Sequence, residues 1–241
     1  MNVTDFIQDK INRFSRGYVF SYSDLGTNPE DREATIKALN RMVKSGLLDK
    51  VSKGRFYKPE TTEFGVLEPN RYQVVKDLLE KNGKIIGYLT GYNAFNELGL
   101  TTQLPNIIQI GRNEIRPPMQ RGIYKITFIR QNNIITKENV EYLKILDAIK
   151  LIKKVPDTKV DNSILKLRSV IKKIPTDKIQ YISKLAVKYP PSTRAVFGAM
   201  VELEFDKNTA NSIRTSLNPI TQYKLNISQK ILPNAENWNI K

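Results

Sequence analysis

The sequence predicts an α+β protein, with an N-terminal winged helix-turn-helix ahead of a larger domain that has a small sheet and a helical C-terminal half. Residues 1–60 alternate helical and β-prone segments in the winged-helix order. Two further β-prone segments lie at 107–110 and 123–129, and helical apolar spacing dominates from Lys137 onward. We therefore predict a winged helix over 1–60, a linker over 61–70, an α/β domain over 71–205, and an extended tail over 206–241 packed on that domain.

The first sixty residues begin with a helix over 4–14, where apolar side chains recur at helical spacing. A β-prone run follows at 17–20, and 21–25 fits a short helix that Gly26 closes. Asn28-Pro29 then predicts the start of a long helix over 30–45, because Asn caps helices well and Pro is favoured at the first helical position.

The long helix has two predicted faces. Ile36, Leu39 and Val43 form the inward face, counting 100° per residue. Small and basic side chains form the outward face, which suits insertion into a DNA major groove about 12 Å wide. We predict that six residues of this face contact DNA: Ala34, Lys37, Ala38, Arg41, Lys44 and Ser45. Taken alone, the same pattern also fits a solvated amphipathic helix.

A basic hairpin follows the long helix. Residues 47–51 and 55–58 are predicted strands, and 52–54 form the tight turn of a wing. We predict that Ser52, Lys53 and Arg55 contact the DNA backbone or the neighbouring minor groove. Helix and wing in series favour DNA binding over a winged helix that binds only protein.

Composition narrows the classes of function. The chain has 39 Lys and Arg against 24 Asp and Glu, a net charge of +15, and 136–241 carry 19 basic against 10 acidic side chains. Such an excess attracts polyanions, although a lysine-rich composition also arises from coding bias and solubility. The absence of Cys and His excludes thiol nucleophiles, Ser-His-Asp triads and imidazole or thiolate zinc sites.

Catalytic and cofactor motifs are not found in the sequence. Gly87, Gly91 and Gly99 match no phosphate-binding fingerprint, and carboxylates such as Glu97 and Asp147 are scattered singly. We therefore predict a protein without enzymatic activity, cofactor or metal. No stretch approaches the 18 or so apolar residues of a membrane span, and the N-terminus has no signal-peptide core, so we expect a cytoplasmic protein without a membrane partner.

Two stretches resemble antitoxins of type IV toxin-antitoxin systems, of the abortive-infection AbiE (AbiEi-like) kind. They are Leu47-Leu-Asp-Lys-Val-Ser-Lys-Gly-Arg-Phe-Tyr57 and Gly87-Tyr-Leu-Thr-Gly-Tyr-Asn-Ala-Phe-Asn-Glu-Leu-Gly-Leu-Thr-Thr-Gln-Leu-Pro105. The resemblance covers residues 1–205, and the Asn-rich tail departs from the family pattern. It implies a phage-defence protein whose N-terminal domain represses its own operon by binding promoter DNA. It also implies that the C-terminal domain neutralises a nucleotidyltransferase toxin encoded alongside. Antitoxins of this kind oppose the toxin without forming a stable complex, so the resemblance does not imply a direct contact with the toxin.

The first hypothesis is therefore a monomeric autorepressor and antitoxin, with double-stranded promoter DNA and the toxin as its partners. One alternative is a stand-alone winged-helix transcriptional regulator, or a module that docks an acidic protein, without antitoxin activity. A third hypothesis is an enzyme acting on nucleic acid through a carboxylate-bound magnesium ion, which the scattered carboxylates disfavour.

Overall fold

A computed structural model describes residues 3–241 and confirms the predicted α+β class. The first two residues of the predicted winged helix lie outside the described residues. The chain forms two compact units: the first comprises residues up to Asp77 together with Met119–Lys125, and the second comprises Leu78–Pro118 and Ile126–Lys241. The first unit is therefore longer than the predicted 1–60 domain and includes a segment from the middle of the chain.

The first unit is built on a helix-turn-helix and a three-stranded sheet. Its leading elements are α1 (Val3–Asn12), β1 (Val19–Ser21), α2 (Tyr22–Leu25), α3 (Arg32–Lys44), β2 (Asp49–Ser52) and β3 (Arg55–Tyr57). The 3-10 turn Pro29–Asp31 precedes α3. Strand β3 lies in the centre of the sheet and pairs antiparallel with β1 and β2.

The core of the first unit joins its helices to this sheet. One face of α1 contributes Ile7 and Ile11, and the sheet contributes Phe20 and Phe56, all at most 1% exposed. The rings of Phe20 and Phe56 contact each other in a tilted arrangement, with centroids 6.1 Å apart. The apolar side chains that recur at helical spacing in the helices and at two-residue spacing in the strands therefore pack into one cluster. This cluster fixes the orientation of α3.

The predicted linker 61–70 is largely a structured hairpin. Strands β4 (Glu60–Thr62) and β5 (Gly65–Leu67) pair antiparallel, and α4 (Arg71–Leu79) begins soon afterwards. The prediction of a linker is therefore wrong for most of this segment. All three residues of β5 are exposed, so the hairpin buries little and leaves no alternation of apolar and polar residues by which the sequence would reveal it.

The remaining strands follow α4 in chain order. They are β6 (Glu80–Lys81), β7 (Lys84–Ile85), β8 (Gly87–Thr90), β9 (Ile107–Arg112), β10 (Met119–Arg121) and β11 (Tyr124–Arg130). Strand β10 belongs to the first unit, where Arg121 forms a two-bond ion pair with Asp77 at 2.6 and 2.9 Å. In the second unit β8 pairs antiparallel with β9, with Tyr88 opposite Gly111.

Six helices complete the second unit. They are α5 (Tyr92–Glu97), α6 (Val140–Lys150), α7 (Val160–Ile171), α8 (Thr176–Ala186), α9 (Pro191–Glu204) and α10 (Lys207–Arg214). Every residue from Thr193 to Val201 is buried except Arg194, so α9 is the central helix of this core. Within residues 3–241, no helix has both the length and the apolar character that crossing a lipid bilayer requires.

The C-terminal segment 206–241 is only partly extended. Its first part is the helix α10, because Asp206 caps it by accepting a hydrogen bond from the Thr209 backbone N–H at 2.8 Å. The remainder is irregular apart from the 3-10 helix Ala235–Trp238. It buries several apolar side chains in the core of the second unit: Tyr223, Ile227, Leu232, Ala235, Trp238 and Ile240. The prediction of a wholly extended tail is thus wrong for 207–214.

Candidate nucleic-acid interface

The turn between α2 and α3 sets the position of the candidate recognition helix. At the start of α2, the Ser21 backbone N–H donates to the Asp24 carboxylate at 2.7 Å. The helix ends at Gly26, which has a φ of +64° and so reverses the chain in a conformation that glycine adopts readily. Pro29 then begins the 3-10 turn that leads into α3. The short helix, turn and long helix are the arrangement of a helix-turn-helix.

Helix α3 buries a different face from the predicted one. Its buried residues are Thr35, Ala38, Leu39 and Met42, whereas Ile36 and Val43 are only partly buried. The centre of the buried face is therefore rotated by roughly 80° from the centre of the predicted face, at 100° per residue. The outward face is centred on Lys37 and Lys44 instead of on Arg41.

Ala38 was predicted to contact DNA, and this prediction is wrong. The side chain is 1% exposed and belongs to the apolar cluster that also contains Ile7, Ile11 and Leu39. A methyl group at this position lets α3 approach its neighbours closely, so the alanine serves the helix packing. Sequence periodicity did not separate the two roles, because a small side chain fits both a tight core contact and a slim outward face.

The other predicted residues of α3 are exposed: Ala34, Lys37, Arg41, Lys44 and the following Ser45. Arg41 donates to the Thr4 hydroxyl at 3.3 Å, and the Ser45 hydroxyl donates to the Met42 carbonyl at 3.0 Å. The surface formed by Lys37, Arg41 and Lys44 is called the α3 basic face below. It presents three cations on one side of a helix, at spacings of three and four residues.

Sequence reasoning left two neighbours of this face out of the predicted site. Asn40 is exposed, and its amide oxygen accepts a hydrogen bond from the Lys50 ammonium at 2.8 Å. The Lys50 ammonium also lies 5.6 Å from the Phe56 ring centroid. Asn side chains read adenine edges and lysines contact phosphates. Asn40 was in neither of the two predicted faces, and only the observed rotation of α3 brings it outward.

The wing places its predicted residues in different environments. Gly54 has a φ of +75° and forms the tight turn beside the exposed Lys53, while Ser52 is half-buried. Arg55 is also half-buried and forms an ion pair with Asp77 at 2.6 Å. Lys53 is therefore positioned to reach a phosphate, whereas a DNA contact by Arg55 would compete with its ion pair.

Removing the Lys53 charge is expected to weaken binding to all duplexes by a similar factor. Lys53→Ala should reduce the slope of log affinity against log salt by about one unit, because one phosphate contact is lost. The measurement is a fluorescence titration at several salt concentrations. Lys184→Ala, which removes an exposed charge on α8, is the control and should leave the slope unchanged. A wild-type slope in Lys53→Ala would remove the wing contact from the interface.

The comparison with protein families covers both units. The family model described as a family of unknown function (DUF6088) matches residues 6–179, which is more than half of the chain. The chain belongs to the DUF6088 family. The match begins within α1, includes the rest of the winged helix, and continues through the sheet of the second unit into α8.

Among solved structures, this DUF6088 protein is similar to the RV2827C protein of Mycobacterium tuberculosis. The two share 12% sequence identity with a TM-score of 0.45, over 92% of this chain and 84% of that chain. No curated protein matches the DUF6088 chain.

The second unit of the DUF6088 protein contains a buried polar network that sequence reasoning also missed. The Asp147 carboxylate, 2% exposed, accepts hydrogen bonds from the hydroxyls of Tyr88 (2.6 Å), Thr90 (2.7 Å) and Tyr189 (2.9 Å). Burial raises the pKa of Asp147 above its ordinary value, against the opposing effect of these three bonds. No group of three or more carboxylates that could hold a metal ion occurs in the described part of the chain.

The direction of the hydrogen bonds in this network is fixed by its neighbours. Gln131 uses its amide oxygen to accept from the Asn133 backbone N–H at 2.8 Å, so its amide nitrogen faces the two tyrosines. That nitrogen donates to both the Tyr88 and the Tyr189 hydroxyls at 2.8 Å. Both phenol protons are therefore left to donate to Asp147. The network joins β8, α6 and the segment after α8, so we assign it a structural role.

The network also explains part of the motif over 87–105. A Cβ atom at Gly111 would lie 2.5 Å from the Tyr88 ring, so the glycine provides the space in which this ring crosses the sheet. Tyr88 and Thr90 are two residues apart in β8, so both side chains lie on the same face of the strand. The Tyr-x-Thr spacing of the motif thus positions two donors for one buried carboxylate.

Asp147→Asn is expected to change the pH dependence of stability. Because the folded-state pKa of Asp147 is raised above its ordinary value of 3.8, the folded protein binds this proton more tightly than the unfolded chain does. The free energy of unfolding of the wild type should therefore fall relative to Asp147→Asn as pH rises from the ordinary pKa through the raised one, and then level off. Thermal unfolding of both proteins between about pH 4 and 8 measures this. If the free energy of unfolding of the wild type instead rose relative to that of Asp147→Asn with rising pH, burial would not raise the pKa of Asp147.

Proposed function

We propose that this DUF6088 protein is a cytoplasmic transcriptional autorepressor that binds promoter DNA through its winged helix, and that it is also an antitoxin. The observation that carries the DNA-binding half is the α3 basic face, exposed on the second helix of a helix-turn-helix and followed by a wing with Lys53 at its turn. This arrangement favours duplex DNA over an acidic protein partner, because helix and wing each supply cations at the places where such domains contact DNA.

The residues take distinct roles in this proposal. With α3 in the major groove, Lys37 and Arg41 reach base edges, where guanine offers two acceptors to a basic side chain. Lys44 and Lys53 contact phosphates and set the register of the helix on the duplex. Glu33 is exposed on the same helix, and its negative charge would disfavour a phosphate at that end. The opposite charges thus help to define one orientation on DNA.

The antitoxin half rests on the resemblance of residues 87–105 to AbiEi-like antitoxins. In that stretch Tyr88 and Thr90 bond to the buried Asp147, so the motif holds the second unit together. The proposed partner is a nucleotidyltransferase encoded alongside, which the protein opposes without a stable complex. Such a protein needs no catalytic activity or cofactor of its own.

The two halves can be tested separately in cells. A reporter gene placed behind the DNA upstream of the coding sequence should be repressed by the wild type and derepressed by Lys37→Ala/Arg41→Ala. Co-expression with the adjacent nucleotidyltransferase should show growth rescue by both proteins, because the second unit is unchanged. The control Lys172→Ala/Lys184→Ala removes two exposed charges from the second unit and should repress like the wild type.

Each half has its own contradicting result. Full repression by Lys37→Ala/Arg41→Ala would remove α3 from operator recognition. Unrelieved toxicity with the wild-type protein would reject the antitoxin half while leaving the repressor half intact, and would favour a stand-alone winged-helix regulator.

A further inference from the structure

A second basic surface lies within the second unit, around a cavity of about 360 Å³. Its walls come from the end of α6, the 3-10 turn Ile152–Lys154, the start of α9 and residues 223–225 of the tail. Four lysines line it: Lys150, Lys153, Lys154 and Lys224. No Asp or Glu occurs among the described residues that line the cavity. The cavity is therefore strongly positive, and an anion would be attracted to it.

The N-terminus of α9 adds hydrogen-bond donors to this cavity. Ser192 and Thr193 are the second and third residues of this fourteen-residue helix, and both line the cavity. Backbone N–H groups in the first turn of a helix have no partner within the helix, and the helix dipole places partial positive charge there. Lysines combined with such a terminus form a suitable environment for a phosphate group.

Tyr223 supplies an independent indication of a ligand. It lines the cavity and is 7% exposed, yet its buried hydroxyl has no hydrogen-bond partner among the described residues. The position of Tyr223 is fixed by the tail, since its backbone N–H donates to the Asn239 carbonyl (2.7 Å) and its carbonyl accepts from the Lys241 N–H (2.8 Å). A buried hydroxyl without a partner is unfavourable, and a ligand oxygen would satisfy it.

Apolar side chains complete the wall of the cavity. Leu151, Val196 and Leu225 line it beside the lysines, so it offers a surface for a flat apolar group as well as for charge. Its size lies at the lower end of the range for small-molecule sites, about 300 to 1,000 Å³. We infer that this cavity binds a nucleoside phosphate, with the phosphates on the lysines and the start of α9, and the base against the apolar wall. This site does not depend on the DNA-binding function proposed for α3.

Calorimetric titration of the full chain with ATP tests this inference, with inorganic phosphate and adenosine as partial ligands. ATP should bind at least about tenfold more tightly than either, because only ATP uses both the charged and the apolar wall. Tyr223→Phe should weaken ATP binding by about tenfold and leave the melting temperature unchanged or raised, because it removes a hydroxyl without a partner. Lys150→Ala/Lys154→Ala should weaken it by at least tenfold, more strongly at low salt. The controls are Tyr181→Phe and Lys172→Ala/Lys184→Ala, which change two exposed residues of α8 and the exposed residue that follows α7.

Several results would overturn the inference. The site would be rejected if ATP did not bind at millimolar concentration. It would also be rejected if ATP bound Tyr223→Phe and the lysine variant as tightly as it binds the wild type. If inorganic phosphate bound as tightly as ATP, the proposed contact between the nucleoside base and the apolar wall would be rejected. Displacement of ATP by a duplex of unrelated sequence, with the same lysines required for both, would assign the surface to nucleic acid.

Discussion

Lys37→Ala/Arg41→Ala is expected to weaken binding to the protein's own upstream DNA by about 100-fold or more, since each bidentate base contact discriminates by about 1 to 3 kcal/mol. Binding to a scrambled duplex should fall much less, because nonspecific affinity depends on the total phosphate contacts. Both side chains are exposed on α3, so their truncation leaves the core of the first unit intact. Fluorescence anisotropy with the two duplexes gives both affinities under one set of conditions.

The control for this pair is Lys172→Ala/Lys184→Ala, which makes the same change in net charge in the second unit. It should reduce both affinities slightly and equally. If the Lys37→Ala/Arg41→Ala variant lost affinity for both duplexes by one common factor, the α3 basic face would contact only the DNA backbone. Other residues of the protein would then have to recognise the DNA sequence.

The second large effect is expected at the contact between α9 and the tail. Trp238 is 2% exposed, and a Cβ atom at Gly198 would lie 2.2 Å from its ring. The Trp238 indole N–H donates to Glu202, and the Arg214 guanidinium lies 4.6 Å from the ring centroid. Trp238→Ala should lower the free energy of unfolding by about 3 to 5 kcal/mol through the cavity it leaves. Chemical denaturation measures this loss.

Gly198→Ala provides a sharper test of the same contact. In the wild type it should destabilise by about 1 to 3 kcal/mol, because the added methyl group overlaps the indole ring. In a Trp238→Ala background the ring is absent, and the substitution should become neutral or stabilising, because alanine favours a helix over glycine by about 1 kcal/mol. An equal cost in both backgrounds would mean that Trp238 does not pack on Gly198 in solution.

Much of the fold follows from local sequence signals. The helix over 4–14, the closing Gly26, the Asn28-Pro29 start and the basic hairpin each have a mechanism that acts within a few residues, and the elements lie close to the predicted positions. The hairpin of β4 and β5 was missed because its side chains are mostly exposed and give no apolar pattern. The helix α10 was missed because seven asparagines over 206–241 and several turn signals dominate that segment.

The candidate site was predictable only in part. The sequence identifies α3 as the candidate recognition helix, because it carries basic residues and follows a short helix and a turn. Which face of α3 is buried depends on how its side chains pack against α1 and the sheet. Ala38 was therefore assigned to the wrong side of the helix, and Asn40 was left out of the predicted site. In the Asp147 network, the residues that bond to the carboxylate lie 42 or more positions from it, Tyr88 and Thr90 on one side and Tyr189 on the other. No local pattern encodes such a contact.

The most direct test of the DNA-binding proposal is a titration of the wild-type protein with its own upstream duplex and with a scrambled duplex, at salt from about 50 to 200 mM. We expect the upstream duplex to bind at least about 1,000-fold more tightly, and to remain bound at the higher salt. Weak binding to both duplexes that disappears with salt would contradict the assignment of the α3 basic face to operator recognition.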